Sequence, residues 1–511
     1  MTRSAPPGPF GSGVGSWIER RARTSPDAVA IVSGNRSLTY AEWAERIRRL
    51  ANGLRRLGVR HGDRVAWVGE NHPAFLDAFF ASGLVGAAVA PVNHRLPEDA
   101  IRGVLDDTEP SIVIRHEIDD PGPAAPSVVH TVVVQVPSGG TTDLEGLVGE
   151  SPADPVDVPV EMDDLCMLAH SSGTTGRPKG IMLTHANVTW NVVNFLSCAD
   201  FRGDDVTPAI APFFRVGGTG VNVLPVLFMG GTVVVPEDAA PDEILRSMER
   251  HRVTVGFGNP DSLEALTRSG LWPAVDLSTV RFIVTGGAPV PAHLLRAYRD
   301  RGVNLLQGYG LSEAGPLALM LAPGSASEKA GSAGRPPLLV DIRVVRPDGA
   351  AAAPGETGEL QVRGPNVMRG YWKRPDATRA ALSEDGWLRT GDAARADAEG
   401  FVWIVDRMAD AVSAGGAVVF PGDVERVLMD HPAIADVGVA QGADDDGLVA
   451  VVVASVGADV SRDELLAFGR ERLAPPSAPT RVVFVDRLPR SSVGKLVRAE
   501  LRALASAADS P

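Results

Sequence analysis

The sequence has 511 residues and a formal charge of −14, from 49 Lys+Arg against 63 Asp+Glu, and its length suits about three or four domain-sized units. That acidic balance argues against non-specific binding to nucleic acid or an anionic membrane, and two cysteines, Cys166 and Cys198, can build neither a disulfide framework nor a cysteine-based zinc site. Only Lys179, Lys329, Lys373 and Lys495 of the basic residues are lysine, so each lysine position is informative, because the two cations differ in shape, hydration and ability to shift pKa.

Residues 1–15 hold Pro, Gly and Ser but no apolar leader core. The longest apolar stretches, such as Leu448–Val456, reach about half of the ~20 residues a bilayer span needs. A cytoplasmic, soluble chain is expected. Trp43, Ile47, Leu50, Leu54 and Leu57 recur on one face of an amphipathic helix. Short apolar runs at Val65–Val68, Ala87–Val92 and Ile112–Ile114 read as buried strands. The Pro/Gly/Ser-rich stretch Asp119–Asp164 predicts loosely packed surface with one strand, Val132–Val136. Strands Thr232–Val235, Val253–Val255 and Phe282–Val284 then alternate with helices Asp242–Arg250 and Ala292–Asp300. Such alternation predicts parallel sheets covered on both faces.

The pattern changes after about Pro316. Asp341–Val345 and Glu359–Arg363 alternate with period two around Pro-Asp-Gly and Pro-Gly turns, which predicts a small antiparallel sheet or β-barrel. From about Met408 a compact α+β unit follows, with helices Pro421–Met429 and Arg462–Arg472 and strands Val437–Val439, Val449–Val453 and Val482–Val485. The expected division is 1–406 for a large N-terminal α/β body carrying the small β region, and 407–511 for a mobile C-terminal α+β domain.

Ser171-Ser-Gly-Thr-Thr-Gly-Arg-Pro-Lys-Gly180 is the strongest local signal. Four hydroxyls, three glycines and one of the scarce lysines fall within ten residues, after the apolar run Leu165–Ala169. Glycines let backbone N–H groups turn toward an anion, and hydroxyls add donors or reach a magnesium ion. It is not a Walker A loop, because Lys179 does not directly follow the second glycine and no Ser/Thr succeeds it. A plain surface loop would explain the glycines but not the lysine.

This segment resembles the phosphate-binding signature of the acyl-activating, adenylate-forming superfamily, which includes acyl- and aryl-CoA synthetases. Five further motifs stand in that family's order. Thr285-Gly-Gly-Ala-Pro289 resembles the segment flanking adenine and the acyl pocket, through Gly286, Gly287 and Ala288. Gln307-Gly-Tyr-Gly-Leu-Ser-Glu-Ala-Gly315, after the strand Val303–Leu306, offers an aromatic face, a hydroxyl and a hard oxygen at a strand's carboxyl end. The resemblance implies that Tyr309, between Gly308 and Gly310, stacks on adenine, that Ser312 meets the α-phosphate, and that Glu313 holds magnesium with Thr174. It implies ATP contacts for Ser171, Ser172, Gly173, Thr175, Gly176 and Lys179. Trp387-Leu-Arg-Thr-Gly-Asp392 assigns Asp392 to the ribose hydroxyls, and Phe401-Val-Trp-Ile-Val-Asp-Arg407 assigns Ile404 and Arg407 to the nucleotide. In Leu488-Pro-Arg-Ser-Ser-Val-Gly-Lys495, Lys495 would approach the α-phosphate and the substrate carboxylate. A compact ammonium there neutralises charge when two anions meet.

Three departures from the family pattern stand out. Ala211-Pro-Phe-Phe-Arg-Val-Gly-Gly218 carries Arg215 where His or an aromatic residue is usual, with Gly217 on the same substrate side. Arg215 could bind a second carboxylate or another oxyanion, or pair with an acidic neighbour. Ala409 replaces the usual Asp or Lys of the hinge Met408–Asp410, while Gly415 and Gly416 remain to line a pantetheine passage. Pro475–Pro479 lacks a common lysine, which weakens the case for coenzyme A. The expected reaction is therefore ATP–Mg²⁺-dependent activation of a carboxylic acid followed by transfer to coenzyme A. The alternatives are a carrier-protein thiol or amine as acceptor, nitrite as the activated oxyanion as in ATP-dependent diazotases, or a nucleotide-binding regulator without turnover.

Overall fold

Eight strands in the order Gly370–Tyr371, Gly180–Thr184, Leu165–His170, Ala88–Val92, Arg64–Val68, Ile112–Arg115, His130–Val133 and Thr142–Asp143 make the largest sheet of the computed structural model. The model describes residues 13–116, 130–134, 142–170, 178–322, 328–329, 331–414, 417–442, 447–490 and 496–507. The sheet is parallel from Leu165–His170 to Thr142–Asp143, and its first two strands run antiparallel. Its central strands are buried along nearly their whole length, which is why they read as continuous apolar runs. Helix Pro73–Val85 is buried at all but its first residue. Its one acidic side chain, Asp77, accepts from Trp43 Nε1 at 2.7 Å and pairs with Arg46 at 2.8 Å, so the charge enters the core with its partners. Helix Tyr40–Arg56 starts on a capping box between Thr39 and Glu42 and turns its Trp43, Ile47, Leu50 and Leu54 face inward.

A second sheet runs Val255–Gly258, Phe282–Gly286, Asn304–Gly310, Leu317–Met320, with the first three parallel and the last antiparallel. A third contains Val206–Pro208, Thr232–Val234, Val29–Ser33 and Arg36–Thr39. The expected parallel α/β layering is present in all three sheets, and each also carries antiparallel pairs. Three boundaries also move. The strand expected at Val253–Val255 is Val255–Gly258, because Val253 still closes the preceding helix through its N–H to Met248 O. The strand expected to stop at Leu306 runs to Gly310, through the glycine motif. The strand expected at Val132–Val136 is His130–Val133, and the same loosely packed region also holds a helix, Leu144–Glu150, capped by the Asp143 carboxylate on Glu145 and Gly146 N–H.

By contacts the chain falls into two compact units: Met1–Ala330 with Gly334–Asp341 and Val362–Leu388, and Gly331–Ala333 with Ile342–Gln361 and Arg389–Pro511. The second holds most of a four-stranded sheet, Asp341–Val345, Gly358–Arg363, Leu388–Ala396, Val402–Arg407, and all of a three-stranded one, Ile434–Gln441, Leu448–Ala454, Arg481–Phe484. The three-stranded sheet is covered on both faces. Val437, Val439, Ala450 and Val452 join Val424, Leu428 and Leu465 in one core, while Val449, Val451, Leu501 and Ala505 form the other. Alternation along the strands separates the two cores. Among the described residues no helix is long and apolar enough to cross a membrane.

Candidate active site

Several of the expected site residues, Ser171, Ser172, Gly173, Thr174, Thr175, Gly176, Gly415 and Lys495, lie outside the described residues. The flanks of the phosphate loop are described. His170 ends the entering strand, with Nε2 3.3 Å from Thr108 Oγ1, and burial pushes it down to about 4, so it is neutral at pH 7. Lys179 immediately precedes the returning strand Gly180–Thr184, and its Nζ sits 5.2 Å from the centroid of the Tyr371 ring.

Register in the second sheet brings two of the motifs together. Thr285 pairs with Gln307 and Gly286 with Gly308, so Gly286, Gly287 and Ala288 leave one strand beside Gly308, Tyr309 and Gly310 on the next. Only glycine fits at two of these places. A Cβ on Gly286 would stand 2.2 Å from Gly308 O, and one on Gly310 would stand 1.7 Å from Pro316 O.

Ser312 and Glu313 follow on a short 3₁₀ turn, Ser312–Ala314. A segment remote in sequence holds that turn. Met368 N–H donates to Glu313 O at 2.8 Å, and Asn366 Nδ2 donates to Leu317 O at 2.8 Å. Tyr371 Oη donates to Glu313 Oε1 at 2.9 Å. None of the sequence motifs points to Tyr371; the only signal near it is the Gly-Tyr-Trp run 370–372.

Among the described residues no three His, Cys, Asp or Glu side chains converge as a metal cage. Magnesium carried with a nucleotide keeps several waters and takes one or two carboxylates besides the phosphates. Glu313, a single carboxylate on a half-buried turn, fits such a donor set.

On the side expected to face the acid, Arg215 occupies the N-cap position of the short helix Val216–Gly220, and a Cβ on Gly217 of that helix would stand 3.5 Å from the Phe257 ring. The Phe214 ring has the Arg95 guanidinium 5.9 Å and the Arg215 guanidinium 6.0 Å from its centroid, with His94 edge-on at 5.6 Å. Among the described residues neither arginine is in salt-bridge range of a carboxylate, so the acidic neighbour considered for Arg215 is not found. Partial burial, and then the charge of Arg95, lower the Arg215 guanidinium from its ordinary value.

In the second unit Asp392 and Arg407 are direct partners across two antiparallel strands, and Ile404 faces Ala394 on the same pair. Met408–Asp410 is a single 3₁₀ turn. Beside it Arg498 collects Asp406, Asp410 and Glu425.

Glycine-bearing strand ends and a loop of phosphate-binding composition on a mixed α/β body are the marks of a nucleotide-dependent enzyme. Comparison with known proteins narrows this. The family model described as AMP-binding enzyme matches residues 18–372, and that of the AMP-binding enzyme C-terminal domain matches 423–495. The chain belongs to this AMP-binding, acyl-adenylate-forming family. It is 43% identical to a feruloyl-CoA synthase of Amycolatopsis sp, over 96% of this chain and 98% of that one. Among solved structures it resembles an anthranilate CoA ligase in complex with anthranoyl-AMP, with TM-score 0.87, 26% identity and 98% of both chains covered. It also resembles the Bacillus subtilis O-succinylbenzoate coenzyme A synthetase in complex with ATP and magnesium ion, with TM-score 0.81, 30% identity, and 95% of this chain and 99% of that one covered.

Proposed function

We propose that this chain activates an aromatic carboxylic acid, with ferulate-like acids as the first class to test, and that its acceptor is coenzyme A. The broader activity is that of an AMP-forming acid–thiol ligase. A carboxylate oxygen attacks the α-phosphorus of ATP and pyrophosphate leaves; the thiol then attacks the acyl carbonyl and AMP leaves. The observation that carries the aromatic reading is the 43% identity to a feruloyl-CoA synthase along 96% of the chain. The anthranilate and O-succinylbenzoate enzymes, whose acids also carry an aromatic ring, support it.

In this reading Tyr309 stacks on adenine, Gly286–Ala288 and Gly308–Gly310 flank the nucleotide, and Ser312 donates to the α-phosphate. Asp392 accepts from the ribose hydroxyls, with Arg407 and Ile404 beside the nucleotide. Ser171–Gly176 and Lys179 cradle the outer phosphates. Thr174 and Glu313 would hold magnesium, which supplies positive charge to the phosphates when bound. Lys495 neutralises charge as the carboxylate meets the α-phosphate. Arg215 and Gly217 border the acid, and Gly415 the pantetheine arm. The functional boundary lies at Arg407, the hinge is Met408–Asp410, and the chain works in the cytoplasm.

Acid-dependent pyrophosphate release, then thiol-dependent release of AMP, tests this directly. Hydroxycinnamates should exceed fatty acids, dicarboxylates and nitrite. A fatty acid, an aliphatic dicarboxylate or nitrite as best substrate overturns the aromatic reading, and a carrier-protein thiol preferred to coenzyme A overturns the acceptor.

A further inference from the structure

Lys179 and Glu313 are 134 residues apart in sequence, carry opposite charges, and both touch Tyr371. The hydroxyl of Tyr371 donates to Glu313 Oε1 at 2.9 Å, and the face of its ring lies 5.2 Å from Lys179 Nζ. Among the described residues Lys179 and Glu313 form no ion pair with each other. We propose that Tyr371 is the positioning residue of the ATP–magnesium site, its hydroxyl orienting the Glu313 carboxylate and its ring holding the Lys179 ammonium ready for phosphate. This rests on the reading above that Glu313 serves magnesium and Lys179 the phosphates.

The backbone around Tyr371 is fastened to both of the segments that these side chains come from. Tyr371 pairs with Ile181 and Gly370 with Met182, and Trp372 N–H donates to Gly180 O at 2.7 Å, so the returning strand of the phosphate loop is fixed. Three residues upstream, Met368 N–H donates to Glu313 O at 2.8 Å. Downstream, Trp372 Nε1 donates to Asp107 O at 3.0 Å and Lys373 pairs with Glu109 at 2.9 Å. Tyr371 N–H donates to Thr378 Oγ1 at 2.9 Å. The ring is therefore held from both ends while it contacts the two charged groups.

Each contact has a distinct consequence. A carboxylate with one oxygen committed to a fixed phenol loses rotational freedom, and its other oxygen is the one that remains for a metal. A phenol is protonated at neutral pH, so the hydroxyl donates to the carboxylate. An aromatic face holds an ammonium without neutralising it. Direct pairing of Lys179 with Glu313 would instead occupy both groups before ATP arrived.

Tyr371→Phe removes the hydroxyl and keeps the ring, whereas Tyr371→Leu removes both. The test is calorimetric binding of ATP to the full chain, with magnesium and with EDTA, alongside the thermal midpoint. In wild type, magnesium should tighten ATP binding. In Tyr371→Phe that gain should fall about tenfold, the size of one hydrogen bond to a charged group, while binding in EDTA changes far less and the midpoint shows that the variant is folded. Tyr371→Leu should also weaken binding in EDTA, about threefold or more, through loss of the Lys179 contact. A full wild-type magnesium gain in Tyr371→Phe overturns the proposal, and so does equal weakening with and without magnesium. Tyr371→Phe decides the matter if the leucine variant does not fold. Glu313→Gln separates the two levels: if it loses the gain and Tyr371→Phe does not, only the role of Tyr371 fails. If both variants keep the gain, the assignment of Glu313 to magnesium fails with it.

Discussion

Arg407 Nε lies 3.0 Å from Asp392 Oδ1, and the two residues are register partners in adjacent antiparallel strands. The carboxylate is nearly buried and the guanidinium about half exposed. Asp392 is thus held in place by a cation that solvent can reach. Asp392→Asn preserves its size and removes its charge. It should raise the KM for ATP by about 10- to 100-fold, the range for hydrogen bonds to a charged group, with little change in kcat. Steady-state kinetics with 2′-deoxy-ATP gives the control: the wild type should lose affinity for the deoxy analogue, and the variant should lose little more.

Lys495 is assigned to the moment when carboxylate and α-phosphate meet. Lys495→Ala should slow acid-dependent pyrophosphate release by about 10²- to 10³-fold, as removal of one preorganised charge-stabilising donor does. ATP affinity measured by calorimetry should stay within a few fold. Lys495→Arg should recover little, because a planar fork does not reproduce a compact ammonium.

Among the described residues Arg498 is the only cation to which Asp406, Asp410 and Glu425 are all joined, with Nη2 3.4 Å from Asp406 Oδ2 and Nε 4.0 Å from Asp410 Oδ2. Its Nη1 also donates to Val439 O at 3.2 Å. Arg498→Met leaves three carboxylates crowded at low exposure, which should cost about 3–5 kcal/mol. Burial already raises Asp410 and Glu425 above their ordinary values. For an acid whose folded pKa is raised, stability is present at low pH and lost as pH rises through the folded pKa. Removing the cation deepens that loss. The gap in thermal midpoint between variant and wild type should therefore be wide at pH 8 and narrower at pH 5.

His185 gives the opposite sign. Its Nδ1 accepts from Val14 N–H at 3.1 Å, and burial pushes its pKa from 6.5 down to about 4. A proton on Nδ1 would displace that contact. The unfolded chain binds the proton more readily, so stability should fall as pH drops from about 6.5 toward 4 and level off below. His185→Asn, whose amide oxygen can accept from Val14, should flatten the decline by about 1–3 kcal/mol, read from denaturant melts at pH 7.5 and 5.

What the sequence makes legible is what lies close together along it. Ser171–Gly180 concentrates hydroxyls, glycines and a lysine within one loop, and Gln307–Gly315 places its glycines, tyrosine and glutamate together, so the family resemblance is legible from local runs. Helix Arg462–Arg472 is legible to its residue bounds because Ser461 caps it and acidic residues open its first turn. Strand Val255–Gly258 is not, because its two glycines carry no strand signal, while Val253, an apolar neighbour, belongs to the end of a helix. Tyr371 is hidden for a different reason. Its meaning depends on pairing with Ile181 and on contact with Glu313, and neither partner is near it in the chain. Arg498 likewise draws its partners from residues 406–425.

The rarity of lysine bears on the chemistry of the product as well as on ATP. An acyl-adenylate is an acylating agent, and a neutral amine is the group on a protein surface that it would modify most readily. Arginine remains protonated at any working pH and offers no such nucleophile. Of the four lysines, Lys373 is bound to Glu109 and to Asp107 O, and Lys179 rests against an aromatic ring. A surface built on arginine therefore presents an acyl-adenylate with few amines to acylate.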